Sequence, residues 1–173
     1  MAIADKTSPK NIRHLDLGEI KDFFKEKGEP AFRATQVYEW LWKKSAHSFE
    51  EMTNLSKATR EMLNENFVLQ NAVIELSQKS KDGTIKNAIK LFDGNKVECV
   101  LIPAEKRMTA CVSSQVGCSL DCKFCATGKL KRERNLNADE IYDEVVFVQK
   151  QAMEQYKKPL TNISEPLTPA SRS

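Results

Sequence analysis

The chain has 173 residues, of which 40% are apolar and 29% are charged, and its formal net charge at pH 7 is +3. This length suffices for one ordinary domain or two small ones, and the apolar fraction can supply a buried core. The weak positive charge neither establishes nor opposes a nucleic-acid partner. No apolar run approaches the ~20 residues of a membrane-spanning helix, and the N-terminus lacks the apolar core of a secretory signal. We therefore predict a cytoplasmic protein without a membrane partner.

The N-terminal third of the sequence shows helical periodicity. Residues 1–14 are polar and are expected to be flexible. Leu17, Ile20 and Phe24 then recur at helical spacing, and Gly28 is a stop signal for that helix. These features predict a first helix that begins near residue 16.

Two further helices are predicted before residue 67. Pro30 suits a helix start, and the apolar residues expected to turn inward from that helix are Phe32, Val37, Trp40 and Leu41. Trp42 lies off this stripe and is expected to be partly exposed. Ser48, with Glu51 three residues later, predicts a capping box, and another helix is predicted over residues 56–66, with Met62 and Leu63 turned inward.

Residues 15–67 are therefore interpreted as a small helical bundle. One interpretation gives its aromatic residues a purely structural role in the core. The other makes the bundle an RNA-binding accessory domain, with Arg33, Lys43 and Lys44 on its exposed face.

An extended pattern begins near Val68. The dipeptide Asp82-Gly83 predicts a hairpin turn, and Asp93-Gly94-Asn95 predicts a second turn. The segment 97–102 is nearly all apolar and is interpreted as a buried strand, while 109–113 predicts a strand that leads into a cysteine-rich loop.

A long helix is predicted after that loop. Asn137 can cap it, with Glu140 at the third position, and its expected buried stripe consists of Ile141, Val145, Val148 and Ala152. A strand, a loop and a helix in this order predict a first βα unit. The fold class is thus predicted as α+β passing into α/β: a helical bundle, a small β-sheet, then the first βα unit of an incomplete barrel, which would need ~250 residues to be complete.

The loop between that strand and helix carries three cysteines, Cys118, Cys122 and Cys125, in the spacing C-x3-C-x2-C. Closely spaced thiolates in a loop are typical ligands of an iron–sulfur cluster. Three thiolates would leave one iron of a [4Fe-4S] cluster open, as in enzymes that bind S-adenosyl-L-methionine at that iron. Phe124 would then be placed to cover the adenine of that cofactor.

Zinc is the main alternative ligand of this loop. Neither His14 nor His47 lies near the three cysteines, so zinc would need Cys111 or Cys99 as its fourth ligand. A disulfide framework is disfavoured by the odd count of five cysteines and the lack of a secretory signal. Inert buried thiols are the remaining alternative.

Several collinear segments resemble one family, the radical S-adenosylmethionine methyltransferases that modify C2 of adenine in 23S ribosomal RNA and transfer RNA. The segment 111–118, read as Cys-Val-Ser-Ser-Gln-Val-Gly-Cys, runs into the cysteine triad and then into Ala126-Thr-Gly128 and Arg134-Asn-Leu136. The resemblance extends backward through Val97–Pro103, Asp82–Lys86, Phe49–Ser56 and Phe32–Gln36. Related enzymes that methylate C8 of the same adenine share the triad.

The resemblance implies a role for several residues. Cys118, Cys122 and Cys125 match the ligands of the [4Fe-4S] cluster that binds S-adenosyl-L-methionine. Cys111 matches the cysteine that resolves a covalent protein–RNA adduct and ends in a disulfide, and Glu98 matches the proton acceptor. From the residues alone, Glu98 is a carboxylate at a sheet edge and Cys111 a small buried hydrophobe. Cys99 matches no family role and is expected in the core.

The family also implies partners and a domain plan. The partners are 23S ribosomal RNA, transfer RNA and an electron donor, and a monomer is expected. Residues 68–158 would begin the catalytic domain, and 159–173 would be an irregular tail. No cysteine follows Cys125 to carry the methyl group, and the Gly-Glu-Pro motif is only partly matched near Glu165, so the sequence resembles an N-terminal portion that is expected to be inactive alone. The alternative is a non-catalytic RNA-binding module with an iron–sulfur or zinc site.

Overall fold

The structure is a computed structural model that describes residues 9–105, 107–118 and 131–160. The chain divides between Gln70 and Asn71 into two compact units, which are considered separately below. The sequence analysis set this boundary between residues 67 and 68. Within the described ranges, no helix is long and apolar enough to cross a bilayer.

The first unit is helical. Its helices are α1 (Leu17–Glu26), α2 (Phe32–Trp42) and α3 (Lys57–Asn66), with short 3-10 turns at Ile12–His14 and Phe49–Glu51. Two strands of two residues, β1 (Lys10–Asn11) and β2 (Phe67–Val68), pair in parallel.

The ends of α1 and α3 follow their capping signals. Asp16 caps α1 by accepting a hydrogen bond from the Glu19 amide at 2.8 Å, and Ser56 caps α3 through the Thr59 amide at 3.1 Å. Gly28 follows α1 at a φ of 75°, a left-handed conformation that glycine adopts without strain. The predicted helix starts and the stop after α1 are therefore confirmed.

The expectation of flexibility through residue 14 is wrong for the segment Lys10–His14. Lys10 and Asn11 pair with Phe67 and Val68, and Ile12 is fully buried. This order depends on partners more than 50 residues away, which local composition does not indicate.

The predicted inward stripe of α2 is wrong at its aromatic positions. Trp42 is 1% exposed, whereas Phe32 is 56% exposed and Trp40 is partly exposed. The buried face is centred on Ala34, Val37 and Leu41, and at 100° per residue Phe32 lies on the opposite side of the helix. Trp42 is buried at the edge of that face, where the Arg13 guanidinium lies 5.2 Å from its ring centroid.

The capping box predicted at Ser48 does not form. The residues that follow make only the 3-10 turn Phe49–Glu51, and the Ser48 side chain caps no backbone amide. The Glu51 carboxylate instead accepts a hydrogen bond from the His47 amide at 3.2 Å.

The second unit is built on a four-stranded antiparallel sheet in the order β3-β4-β5-β6. Its strands are β3 (Val73–Lys79), β4 (Ile85–Lys90), β5 (Lys96–Pro103) and β6 (Met108–Cys111). The two predicted turns are confirmed: Gly83 and Gly94, in the first two connections, have φ values of 90° and 86°.

Helix α4 (Ala138–Tyr156) contributes to the core of the second unit. The buried residues of this core are Ala72, Ile85, Ile89, Leu91, Val97, Cys99, Leu101, Met108, Val116, Leu136, Val148, Ala152 and Leu160. Val148 and Ala152 are buried as predicted, while Ile141 and Val145 are partly buried against the same core.

Strand β5 is buried on one face only, which corrects the prediction of a buried strand over 97–102. Val97, Cys99 and Leu101 are buried, whereas Glu98 and Ile102 are exposed. The apolar run therefore contributes alternate residues to a core face and an open face.

Two further strands, β7 (Gln115–Val116) and β8 (Arg134–Asn135), pair antiparallel before α4. The mixed α/β class is confirmed, but the predicted βα unit of a barrel stays a prediction. Residues 119–130, which would form its loop, lie outside the described residues.

Candidate functional site

The ends of the cysteine loop are held close together. Cys118 forms an isolated parallel bridge with Lys131, and Gly117 beside it has a φ of 72°. A Cβ atom at Gly117 would overlap the Lys131 carbonyl group. Glycine is therefore required here both by the backbone conformation and by the close approach of a second chain segment.

The cysteine of this loop that the structure describes is Cys118, which is half-buried. Cys122, Cys125 and the cofactor candidate Phe124 lie outside the described residues. A soft thiolate donor in a closed loop suits an iron–sulfur cluster, and the C-x3-C-x2-C spacing supplies two more such donors. The residues thus fit the group in donor chemistry.

We call the residues on either side of the cysteine loop, 114–117 and 131–136, its neck. Backbone hydrogen bonds join the two sides of the neck, and a side-chain ion pair joins the neck to α4. The Glu133 amide donates to the Val116 carbonyl and the Leu136 amide to the Ser114 carbonyl, both at 2.9 Å. Arg134 donates two hydrogen bonds to the Glu140 carboxylate, at 2.7 and 2.8 Å.

Glu98 and Cys111 lie on the same open face of the sheet. Val100 is directly opposite Cys111 in the register of β5 and β6, and Glu98 is two residues from Val100 on the same strand. Glu98 and Cys111 are therefore diagonal neighbours, about 7–8 Å apart by the geometry of antiparallel pairs.

Both candidate side chains are accessible. The Glu98 carboxylate pairs with the Lys86 ammonium of β4 at 2.6 Å, and both side chains are about half exposed. Cys111 is an exposed free thiol, so the alternative interpretation of Cys111 as a small buried hydrophobe is wrong. An exposed carboxylate and an exposed thiol on adjacent strands can both reach a molecule that lies on this face.

Cys99 lies on the core face, as the sequence analysis expected. It is fully buried, and burial together with the nearby Glu144 carboxylate raises the pKa of its thiol to about 12. The Asn87 amide donates to its sulfur at 3.7 Å. Cys99 is therefore a protonated core residue at neutral pH rather than a nucleophile.

The sequence analysis did not identify Glu144, a fully buried carboxylate on α4. Its Oε2 atom accepts a hydrogen bond from the Ser113 amide at 2.9 Å, and its Oε1 atom has no hydrogen-bond partner among the described residues. Burial raises its pKa to about 7; the Ser113 amide lowers it and the charge of Glu140 raises it further. The signal was present, since Glu144 falls within the helical stripe that contains Ile141 and Val148.

Within the first unit, two aromatic rings of α2 lie close to cations of α2 and of the residues directly after it. The Lys44 ammonium lies 3.8 Å from the Trp40 ring centroid, and the Arg33 guanidinium lies 4.9 Å from that of Phe32. Asn54 holds two of these side chains: its carboxamide oxygen accepts from the Trp40 indole and its carbonyl accepts from Arg33 at 3.2 Å. We call this set of Phe32, Arg33, Trp40 and Lys44 the α2 stripe.

Comparison with known protein families gives one match to a family model. The model described as the ribosomal RNA large subunit methyltransferase N-terminal domain matches residues 10–69.

Curated relatives match a larger part of the chain. A probable dual-specificity RNA methyltransferase RlmN from Christiangramia forsetii is 58% identical over 158 residues, which cover 91% of this chain and 45% of the relative. A protein of the same name from Cytophaga hutchinsonii is 62% identical over 154 residues, with coverage of 89% and 42%. The chain thus spans less than half the length of these relatives.

A solved structure is similar over the same share of the chain. The crystal structure of a radical SAM methyltransferase from Sphaerobacter thermophilus has 35% sequence identity to this chain and a TM-score of 0.75. The similarity covers 89% of this chain and 45% of that one.

Proposed function

Because this chain belongs to the family of RlmN RNA methyltransferases, we propose that it forms part of a radical S-adenosylmethionine enzyme that methylates C2 of adenine in 23S ribosomal RNA and transfer RNA. In this proposal residues 15–67 are an RNA-binding accessory domain and residues 68–158 begin the catalytic domain. The observation that best supports the proposal is the common open face of Glu98 and Cys111, since the chain runs directly from Cys111 to the neck of the cysteine loop at Cys118.

Cys118, Cys122 and Cys125 are proposed to hold a [4Fe-4S] cluster. When bound, the cluster supplies the electron, received from an external donor, that cleaves S-adenosyl-L-methionine. The clamped backbone at Gly117 and Lys131 fixes the ends of the loop that presents these thiols. Phe124 is proposed to cover the adenine of the S-adenosyl-L-methionine.

Glu98 and Cys111 are proposed to act on the RNA from the sheet face. Glu98 would take a proton from the modified adenine, and its exposed position leaves the carboxylate accessible for that transfer. The Cys111 thiolate would attack the sulfur of the covalent protein–RNA adduct; the bond between that sulfur and the methylene carbon would break, its electron pair would go to the carbon, which takes up a proton to become the methyl group, and a disulfide would remain. The exposure of its thiol supports this role, because an attacking sulfur must reach its target.

The α2 stripe is proposed to contribute to RNA binding. Stacked cations and exposed rings suit phosphates and unpaired bases, which single-stranded RNA offers together. The preformed contacts of Asn54 with Trp40 and Arg33 reduce the ordering required on binding.

Anaerobic reconstitution of the chain with iron and sulfide tests the cluster assignment. We expect close to ~4 irons and ~4 sulfides per chain, with broad absorption near ~400 nm. Each of the substitutions Cys118→Ala, Cys122→Ala and Cys125→Ala should abolish uptake, whereas Cys99→Ala, which removes a core thiol, should not. Stoichiometric zinc without iron uptake would overturn the assignment and leave the alternative of a non-catalytic RNA-binding module.

A further inference from the structure

Ser113 connects three parts of the second unit at the point where the chain leaves β6. Its hydroxyl donates a hydrogen bond to the backbone carbonyl of Glu98 on β5 at 2.9 Å. Its amide donates to Oε2 of Glu144 on α4, also at 2.9 Å. Ser113 follows Cys111 by two residues, so both bonds act on the segment that carries this candidate cysteine.

These two bonds restrain the strand exit in different directions. The bond to Glu98 holds the segment beside β5 after the regular pairing of β6 has ended at Cys111. The bond to Glu144 holds it on the helix that packs on the core face. A segment with both bonds has little freedom to move along or away from the sheet.

A carboxylate at position 144 costs folding free energy because it is removed from water. It is fully buried, only one of its oxygens has a hydrogen-bond partner among the described residues, and burial raises its pKa. The titratable groups that face it are the Cys99 thiol from β5, which is neutral, and the Glu140 carboxylate from its own helix. An apolar side chain would avoid the desolvation cost, so the hydrogen bond to Ser113 is the contact that the carboxylate adds.

We propose that Ser113 and Glu144 are positioning residues, which fix the backbone between Cys111 and Cys118 and keep the Cys111 thiol beside Glu98 on the open face. The relevance of this arrangement to methyl transfer rests on the function proposed above. The restraint itself is a property of the chain alone and is tested without catalysis.

The substitution Glu144→Leu should affect local backbone order and global stability in different ways. In Glu144→Leu the buried carboxylate is gone, so the midpoint of thermal unfolding at pH 8 should be equal to or higher than that of the unsubstituted chain. The Ser113 amide loses its acceptor, so amide exchange in residues 112–116 should become faster by about fivefold, the factor for one net hydrogen bond. If Glu144 served only global stability, its replacement would lower the midpoint of thermal unfolding and speed amide exchange together.

Conservative variants provide the matched controls. Glu144→Gln keeps an oxygen acceptor for the Ser113 amide and should keep slow exchange in this segment. Ser113→Ala should speed exchange and also the alkylation of Cys111 by iodoacetamide, whereas Ser113→Thr, which keeps a hydroxyl, should restore both rates. Peptide mapping reads each cysteine separately, and buried Cys99 reports any global unfolding.

The outcomes are distinct. Unchanged exchange and alkylation in Ser113→Ala, or equal exchange in Glu144→Gln and Glu144→Leu, would overturn the proposal. If Cys111 or the cluster loop proves dispensable for methylation, the proposed function fails while these exchange rates stay as predicted. Slow exchange retained in Glu144→Leu would instead refute the positioning role and leave the proposed function intact.

Discussion

Arg134 and Glu140 form a bidentate ion pair that joins the residues directly after the cysteine loop to the first turn of α4. The two hydrogen bonds measure 2.7 and 2.8 Å, and the Glu140 side chain is only 4% exposed. The same carboxylate accepts from the Asn137 amide at 2.8 Å, and Arg134 also contacts Asp93 in the turn after β4. One guanidinium thus connects the first turn of α4, six residues later in the chain, to the turn at Asp93, 41 residues earlier.

Replacing Arg134 should destabilise the second unit strongly. Arg134→Met leaves the buried Glu140 carboxylate without its cation, and we expect a loss of about 3–5 kcal/mol in the free energy of unfolding. Arg134→Lys keeps the charge but not the forked geometry, so its loss should be smaller. Denaturant unfolding measures both values.

Arg132 provides the control for that substitution. Its guanidinium bonds to Gln115 and Asn135, and both bonds are exposed. Arg132→Met should therefore cost no more than about 1 kcal/mol. Equal losses in Arg132→Met and Arg134→Met would contradict the structural role of the Arg134–Glu140 pair.

Glu144 should make stability depend on pH in an unusual direction. Its folded pKa of about 7 lies above the ordinary value of 4.5, so the folded state binds more protons than the unfolded state between these values. Stability from this group is fully present below pH 4.5, falls as the pH rises through 7, and is lost above that by up to ~3 kcal/mol.

The measurement is the difference in unfolding free energy between Glu144→Gln and the unsubstituted chain, taken from pH 5 to pH 8. This difference should change in favour of the variant as the pH rises, because glutamine does not ionise. Glu154→Gln, an exposed substitution on the same helix, is the control for the loss of a carboxylate from α4. Parallel stability curves for Glu144→Gln and the unsubstituted chain would show that Glu144 does not titrate in this range.

The sequence predicted best what is encoded locally. The start of α4 at Asn137 and Glu140 needs only a few adjacent residues, and the turns at Gly83 and Gly94 need only a glycine that adopts a positive φ. These elements appear where they were expected, because their determinants are short-range.

The features that sequence analysis missed depend on distant partners. Trp42 is buried beside Arg13, and Lys10 pairs with Phe67 across the first unit. For the candidate site, the strand alternation that exposes Glu98 was readable in principle, but the apolar run of β5 obscured it. The burial of Glu144 was readable from its place in the stripe of Ile141 and Val148, but its contact with Ser113 could not be inferred, since the two residues are 31 positions apart.

Gly117→Ala should damage the neck of the cysteine loop. A Cβ at this position overlaps the Lys131 carbonyl group in addition to the cost of its positive φ. We expect a loss of about 2–4 kcal/mol in unfolding free energy from these two effects together. Iron uptake on reconstitution should fall in parallel if the neck orders the loop.

Gly94→Ala is the matched control for the backbone effect. Gly94 has a similar φ of 86°, but a Cβ there meets no atom within 4 Å. The loss should be close to ~1 kcal/mol, with iron uptake unchanged. Comparable effects of the two substitutions would mean that the approach of Lys131 contributes nothing to the stability of the neck.

The α2 stripe should bind RNA through Lys44 and Trp40. The Lys44 ammonium, 3.8 Å from the Trp40 ring centroid, presents a cation beside a partly exposed aromatic surface. Lys44→Gln should weaken binding of a structured RNA and reduce the slope of log affinity against log salt by about 1, the expected effect of one lost phosphate contact.

Lys57→Gln removes an exposed lysine of α3 that pairs with Glu61 and should leave both values unchanged. Fluorescence anisotropy over a salt series measures these quantities. Equal affinity and slope in Lys44→Gln and the unsubstituted chain would place the RNA contact away from this stripe.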